Sequence, residues 1–470
     1  MLPGGYLCKK WNLKNGGNKE MRNAATDLTE GTPWKIIMRF SIPLFFTFLL
    51  QQFYNMVDTI VVGQFLGKDA LAGVGSTGAI NFMIIGFCMG VCNGFSIPVA
   101  QKFGAKDESG LRRFVANSVW LSVIFAAVMT VVVCILCRQI LIWMDTPANI
   151  LEGSYRYIFV IFLGIPVTYL YNLLSGIMRA LGDSKTPLIF LILSSVLNIL
   201  FDLGAILILH MGVAGAAWAT VTAQAISGVL CLIYMKKKYT ILKISKDEWK
   251  LNGSCIARLC GMGIPMGLQY SITAIGSVVL QTAVNRLGST AVAAVASGGK
   301  LAMFFCCPFD AMGSTMSTYT GQNLGAQKLD RVDKGIFACS GLALVYSVIA
   351  CAALLFTGQY LALLFVDGTE TRLIEMIAAF LRWNCIFYFP LALVNIVRFT
   401  IQGLGFGKLA ILAGVCEMAA RSIVGFYFVP VFGFTAACLA SPIAWILADV
   451  FLIPAYFLVV RHLKRELCMS

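Results

Sequence analysis

A chain of 470 residues that is 59% apolar and only 12% charged carries about half the charged fraction expected of a soluble globular protein, which excludes a soluble enzyme. The formal net charge of +14 would suggest nucleic acid in a soluble protein, so the placement of the basic residues along the chain decides its meaning.

In chain order, residues 1–33 are polar and of mixed charge, with no apolar run between a basic start and a small-residue cleavage site. They read as a cytoplasmic tail and not a secretory signal. A start of translation at Met21, with Gly16 and Gly17 codons supplying a ribosome-binding run, is a further expectation. Beyond the tail, apolar runs of roughly 20 residues, the length needed to cross hydrocarbon as helix, recur about twelve times. They begin near Ile42, Thr77, Phe114, Tyr157, Pro187, Val213, Ile256, Ala294, Gly335, Ile374, Ala410 and Phe434. The runs are continuous and do not alternate polar with apolar, so they predict helices and not barrel strands.

The basic residues fall on every second loop. With the N-terminus inside, about 27 Lys and Arg lie on inner segments, Lys236, Lys237 and Lys238 among them, and about six on outer ones. That asymmetry places both termini in the cytoplasm and the chain in the bacterial inner membrane. It also accounts for the charge without a nucleic-acid partner. Two His among 16 Cys leave no His-containing metal cluster of the usual kind. Cys134 and Cys137, on an apolar helix, read as packing rather than redox residues.

The chain repeats itself. Leu66-Gly67-x-x-Ala70 recurs as Leu287-Gly288-x-x-Ala291 and Gln101-x-x-Gly104-Ala105 as Gln322-x-x-Gly325-Ala326, both at a spacing of 221 residues. Leu181-Gly182-x-x-Lys185 matches Leu404-Gly405-x-x-Lys408, and Gly212 matches Gly433. Six spans return the chain to its starting side, so the halves share one topology and a pseudo-two-fold axis along the membrane normal. The fold expected is all-α: twelve transmembrane helices in two six-helix bundles. The divisions are a tail (1–33), an N-lobe (34–235), a cytoplasmic linker (236–254), a C-lobe (255–463) and a short C-terminal tail (464–470).

Seven ionisable residues sit well inside the spans: Asp58, Asp202, Lys300, Asp310, Arg398, Glu417 and Arg421. Exposing all of them to lipid would cost on the order of 20 kcal/mol, so they face protein or water. Counting 1.5 Å of rise per residue puts Asp58, Asp202 and Thr220 at one level, roughly 10 to 12 Å below the outer surface. Asn55 and Asn198 lie a turn below the two acids. Two carboxylates at one depth, with no basic residue at that level in their half, are not a satisfied salt bridge. Desolvation and mutual repulsion oppose two charges there, so the pair either takes up a proton or holds Na⁺ through its oxygens. The second half carries Lys300, Arg398, Glu417 and Arg421 instead, which suits an interhelical charge network as well as a gating or substrate role. The expected inter-lobe cavity is lined by Gln51, Gln52, Tyr54, Gln269 and Gln281, with Met and aromatic neighbours that can adapt to varied ligands.

At this point a resemblance emerges. From Trp34 to about Leu463 the chain resembles the multidrug and toxic compound extrusion (MATE) transporters. The resemblance rests on Gln51-Gln-Phe-Tyr-Asn-Met-Val-Asp58-Thr, on Ala100-Gln-x-x-Gly104-Ala105 and on Met316-Ser-Thr-Tyr-Thr-Gly-Gln-Asn-Leu-Gly-Ala326. It implies that Asp58, Asn198, Asp202 and Thr220 match the family's N-lobe cation and proton site. It also implies export of organic cations and amphipathic drugs in exchange for H⁺ or Na⁺, with no other cofactor. The partners expected are small organic substrates and the lipid bilayer, and a monomer is expected. The family's second-lobe acids have no match here: Ser271, Ile272 and Thr273 occupy the first region and Leu391 the second. A lipid-linked precursor flippase of the same superfamily is the alternative, because Lys300, Arg398 and Arg421 offer charge for a phosphate. An integral-membrane enzyme, such as a prenyl transferase, ranks well below both, because the sequence shows no Asp-x-x-x-Asp, His-Glu-x-x-His or loop-borne nucleophile.

Overall fold

The computed structural model describes residues 26–469 apart from 145, 365, 367 and 368; the expected start at Met21 and most of the tail lie outside the described residues. Among the described residues there are sixteen α-helices, fifteen of which make up twelve candidate spans when each bent pair is taken as one. In the first half these are α1 (Pro33–Leu66), α3 (Gly78–Gly104), α4 (Glu108–Trp143), α5 with α6 (Ala148–Leu163, Ile165–Ala180), α7 (Lys185–Leu203) and α8 (Gly212–Lys238). A short helix, α2 (Lys68–Ser76), links the first two. In the second half they are α9 (Gly253–Asn285), α10 (Ser289–Gly325), α11 (Leu329–Ala362), α12 with α13 (Thr371–Cys385, Tyr388–Gly403), α14 with the short α15 (Gly407–Ile423, Val429–Phe432) and α16 (Phe434–Met469). Each half forms one bundle, and the outward faces of α4 and α11 are rows of exposed Val, Ile and Phe, among them Val128, Ile135, Val348 and Phe356. Such faces belong against lipid.

The fourth and tenth spans are not straight. α5 and α6 meet at 46° and α12 and α13 at 50°. Pro166 stands in the first turn of α6 and Pro390 in the first turn of α13. Proline has no N–H to donate and its ring crowds the carbonyl four residues back, so each break falls where the ladder would otherwise continue.

The repeat extends to the backbone. Gly67 and Gly288 have φ of 84° and 95°, Gly182 and Gly405 84° and 99°, and even the non-glycine pair Lys106 and Gln327 share 57° and 58°. A π-helical turn follows α7 at Gly204–Ile208 and another follows α14 at Val424–Phe428.

The bundles exchange the beginnings of their first helices. Ile37, Phe40 and Leu44 of α1 are buried in the core of the second bundle, together with Phe309 and Tyr319. Cys255 and Leu259 of α9 are buried in the core of the first. Pro43 and Pro265 lie inside these two helices, near the crossing.

Candidate functional site

At the end of the molecule that carries most of the Lys and Arg, the lobes are sealed by the repeated Gln-x-x-Gly-Ala motif itself. Gln101 Nε2 donates to the Gly403 carbonyl and Gln322 Nε2 to the Ala180 carbonyl, each at 2.9 Å and each across the lobes. Gln101 Oε1 accepts from Arg258 Nη2. Gln322 Oε1 accepts from the backbone N–H of Leu28 at 2.9 Å, so the segment before α1 plays for one lobe the part that Arg258 plays for the other. Backbones touch here: a Cβ on Gly104 would stand 1.9 Å from the Gln322 carbonyl oxygen, and one on Gly325 would stand 1.8 Å from that of Gln101. Only glycine permits that approach.

Within the first lobe, α1, α7 and α8 bring together Asp58, Asn198, Asp202 and Thr220. Tyr54 Oη and Asn198 Nδ2 both donate to Thr220 Oγ1 at 3.1 Å. Asp202 and Asn198 are fully enclosed and Asp58 is 8% exposed. Among the described residues neither oxygen of Asp202 makes a well-formed hydrogen bond, and neither does Oδ1 of Asp58, although the Asn198 amide lies within reach of the Asp202 carboxylate. The Tyr157 hydroxyl of α5 lies within reach of the Asp58 carboxylate, and the two acids are close enough to act on each other electrostatically. Among the described residues no Lys, Arg or His pairs with either. The π-turn that follows Asp202 widens α7 just beyond the site, a distortion that recurs at functional positions in helices. A pair of enclosed carboxylates without counter-charge is chemically suited to take up a proton or to ligate a small hard cation through oxygen. Asn55 differs from expectation: it is exposed, and among the described residues its side chain makes no hydrogen bond. Three residues advance about 300° around a helix, which leaves it about 60° off the Asp58 direction.

The second lobe holds the opposite arrangement. Glu417 of α14 ion-pairs with Arg398 of α13, and its other oxygen lies 3.6 Å from Arg421 Nη2 on its own helix. All three are buried. Gln269 is not a cavity residue: it is buried, and its Oε1 accepts from Gln402 Nε2 at 2.7 Å beside this network. Asp449 of α16 is enclosed nearby with Oδ1 unpartnered. Sequence reasoning missed it although a lone acid in the run from Phe434 is signal enough; Tyr157, aromatic in an aromatic-rich span, gave none. Among the described residues, Lys300 is exposed and makes no ion pair or hydrogen bond, Gln281 donates to Asn285 on its own helix, and Gln51 and Gln52 are half-buried with no side-chain hydrogen bond.

The family model described as MatE matches residues 43–203 and 265–428. The chain is 28% identical over 367 residues to the probable multidrug resistance protein YoeA of Bacillus subtilis, covering 76% of this chain and 78% of that protein. It is 29% identical over 379 residues to the probable multidrug resistance protein YpnP of the same organism, covering 79% and 83%. A solved structure described as the outward-facing conformation of a multidrug resistance MATE family transporter of the MOP superfamily superposes with a TM-score of 0.87 at 22% identity, covering 94% of this chain and 99% of that one.

Proposed function

Because the chain belongs to the MatE family, a family of membrane transporters and not of enzymes, we propose that it exports amphipathic organic molecules in exchange for H⁺ or Na⁺ by alternating access. The multidrug resistance names of its relatives support drug efflux as the broad activity. The observation that carries the exchange is the enclosed, unpaired couple of Asp58 and Asp202. The protein works as a monomer in the plasma membrane, with the sealed, Lys-rich end and both termini in the cytoplasm, as the charge asymmetry of the loops favours.

In this state the clasp of Gln101 and Gln322 closes the route at the Lys-rich end. A cation arriving from outside neutralises the acids. It can drive the cycle only to the extent that it prefers one state. The swapped start of α1 gives the preference a lever: the helix that carries Asp58 in the first lobe is anchored by Ile37, Phe40 and Leu44 in the second. Repacking of α1 around an ion is therefore felt across the interface. The flippase alternative finds less support, because Arg398 and Arg421 are buried against Glu417 rather than held ready for a phosphate.

Asp58→Asn and Asp202→Asn are each expected to abolish ethidium efflux from cells at unchanged membrane abundance. In proteoliposomes, pH and Na⁺ gradients imposed separately identify the ion. Efflux that persists in both variants would remove the acids from the coupling step.

A further inference from the structure

The segment that joins the lobes builds a surface that the export reading leaves unused. On α4, Asn117, Trp120, Ile124, Val128, Val131 and Ile135 follow one another at spacings of three and four residues and so share one face. From Ile124 on, that face is exposed aliphatic surface of the kind that lies against lipid. Trp120 and Trp143, both exposed, stand about 35 Å apart along the helix, close to the roughly 30 Å of hydrocarbon in a bilayer. Trp favours the membrane–water boundary, so Trp120 marks the headgroup level at the Lys-rich end. One turn further down, the same face is covered by the chain itself: Asn117 is fully buried, and its Oδ1 accepts from the Asn252 N–H at 3.0 Å. Trp120 Nε1 donates to the Trp249 carbonyl at 3.2 Å, and the two indoles meet edge to face at 6.4 Å. Arg112 holds Glu248, and the Ser245 carbonyl closes the turn by accepting from the Glu248 and Trp249 N–H groups at 3.1 and 3.3 Å. Residues 245–252 thus form a ledge directly beneath the lipid-facing stripe. Its outer side suits neither water nor hydrocarbon alone, with Leu251 62% and Trp249 40% exposed beside exposed Lys246 and Lys250. Among the described residues, the Lys246 ammonium and Trp249 Nε1 have no hydrogen-bond partner, and Lys250 pairs with the exposed Asp247 at 2.8 Å, a contact worth little in water.

We propose that this ledge is a binding site for an anionic phospholipid of the leaflet at the Lys-rich end, its acyl chains lying along the α4 stripe and its phosphate received by Lys246, Lys250 and the Trp249 N–H. The site stands apart from the export reading. Continuity argues for a lipid: the stripe that meets hydrocarbon and the ledge that carries the charges lie on one face of one helix, a chain length apart. Charge argues for an anionic headgroup, because each lysine near such a headgroup strengthens binding about fivefold, whereas a zwitterionic headgroup brings a cation of its own. The ledge exists only while Arg112 and Asn117 hold the linker on α4. A lipid seated there therefore keeps the linker, and with it the start of α9 at Gly253, against the first lobe.

The test uses the full-length chain in phosphatidylcholine bilayers that contain a small share of either phosphatidylglycerol or phosphatidylcholine carrying a photoreactive diazirine next to the headgroup, with the labelled peptides identified by mass spectrometry. Residues 245–252 and the stretch of α4 around Trp120 should take about tenfold more label from phosphatidylglycerol, the scale of two lysines of which one is shared with Asp247. Lys246→Gln with Lys250→Gln should bring the ratio close to one. Lys236→Gln with Lys237→Gln removes as much charge from the same linker outside the ledge and should leave the ratio unchanged; equal melting temperatures of the two double variants exclude misfolding. Glu248→Gln separates a built site from loose charge: it makes the linker more basic but frees it from Arg112, so the ratio should fall although the attraction of charge alone would raise it. Excess inorganic phosphate should not displace the label. A wild-type ratio near one, equal losses in the two double variants, a ratio that rises in Glu248→Gln, or displacement by inorganic phosphate overturns the lipid site.

Discussion

Glu417 holds two guanidinium groups inside the second bundle, and the arrangement is asymmetric in what it risks. Removing the carboxylate leaves Arg398 and Arg421 enclosed together, with Arg398 Nε and Arg421 Nη1 already lacking partners. Breaking a buried pair in this way costs about 3 to 5 kcal/mol, whereas exchanging a whole charged cluster for apolar side chains of like volume is often neutral. Glu417→Gln is therefore expected to lower the melting temperature of the detergent-solubilised protein sharply. Replacing the three together by Met, Leu and Met should recover most of the loss; a triple variant as unstable as the single one would show that the cluster contributes more than charge balance. Only part of this network was legible in the sequence: the i, i+4 spacing of Glu417 and Arg421 fixes a shared face, but it left a gating role open and did not show Arg398, 19 residues away, as the partner. The acid pair of the first lobe was legible too, because depth along a helix follows from counting residues. The positions of Asn55 and Gln269 were not, because counting gives height but not which neighbour a given face will meet.

At the scale of elements, the linker between the lobes is docked and not loose. It leaves α8 through a 3-10 turn at Thr240–Leu242 and lies along α4. There Arg112 Nε donates to both Glu248 oxygens at 2.9 Å, Trp120 Nε1 donates to the Trp249 carbonyl, and Asn117 Oδ1 accepts from the Asn252 N–H. Burial works against the Glu248 carboxylate, but the Ser245 backbone N–H and the Arg112 guanidinium outweigh it and hold the carboxyl below its usual value of 4.5. A group depressed in the folded state lends stability that is fully present above its unfolded value and fades as pH falls through the folded one. Proteolysis of the linker should thus be slow at neutral pH and accelerate below pH 4.5, while Glu248→Gln should be cleaved readily at both. A wild-type linker whose cleavage ignores pH would detach Glu248 from the docking. The run of Lys residues announced a linker but not its docking, because Arg112 and Glu248 lie 136 residues apart. The breaks at Pro166 and Pro390 were not legible, since Pro43, Pro98, Pro265 and Pro308 stand inside helices that run on past them.

For the molecule as a whole, the repeated motif explains how one sequence pattern can hold two lobes shut. Gln101 and Gln322 are equivalent positions, and each spends its amide on the other lobe's carbonyl at the end of the bent span, Gly403 or Ala180. The sequence showed the repetition but not its meaning, because a motif matched at 221 residues does not say that its two copies face each other. Each clasp hydrogen bond is worth about 1 kcal/mol net, or roughly a fivefold change in the balance between sealed and opened states. Gln101→Ala and Gln322→Ala should therefore each raise the population opened at the Lys-rich end about fivefold. The two bonds are distinct, so the double variant should approach the product. The two sites differ in one respect: Gln322 is also held by the Leu28 N–H, where Gln101 is held by Arg258. Trimming the chain to begin after Gly31 should then weaken only the Gln322 half and leave the Gln101 effect intact on top of it. Spin labels placed on the loops after α3 and α10 would read these populations as distances. Distances that stay at the sealed value in the double variant would mean that the glycine contacts at Gly104 and Gly325, and not the glutamine clasp, hold the lobes together.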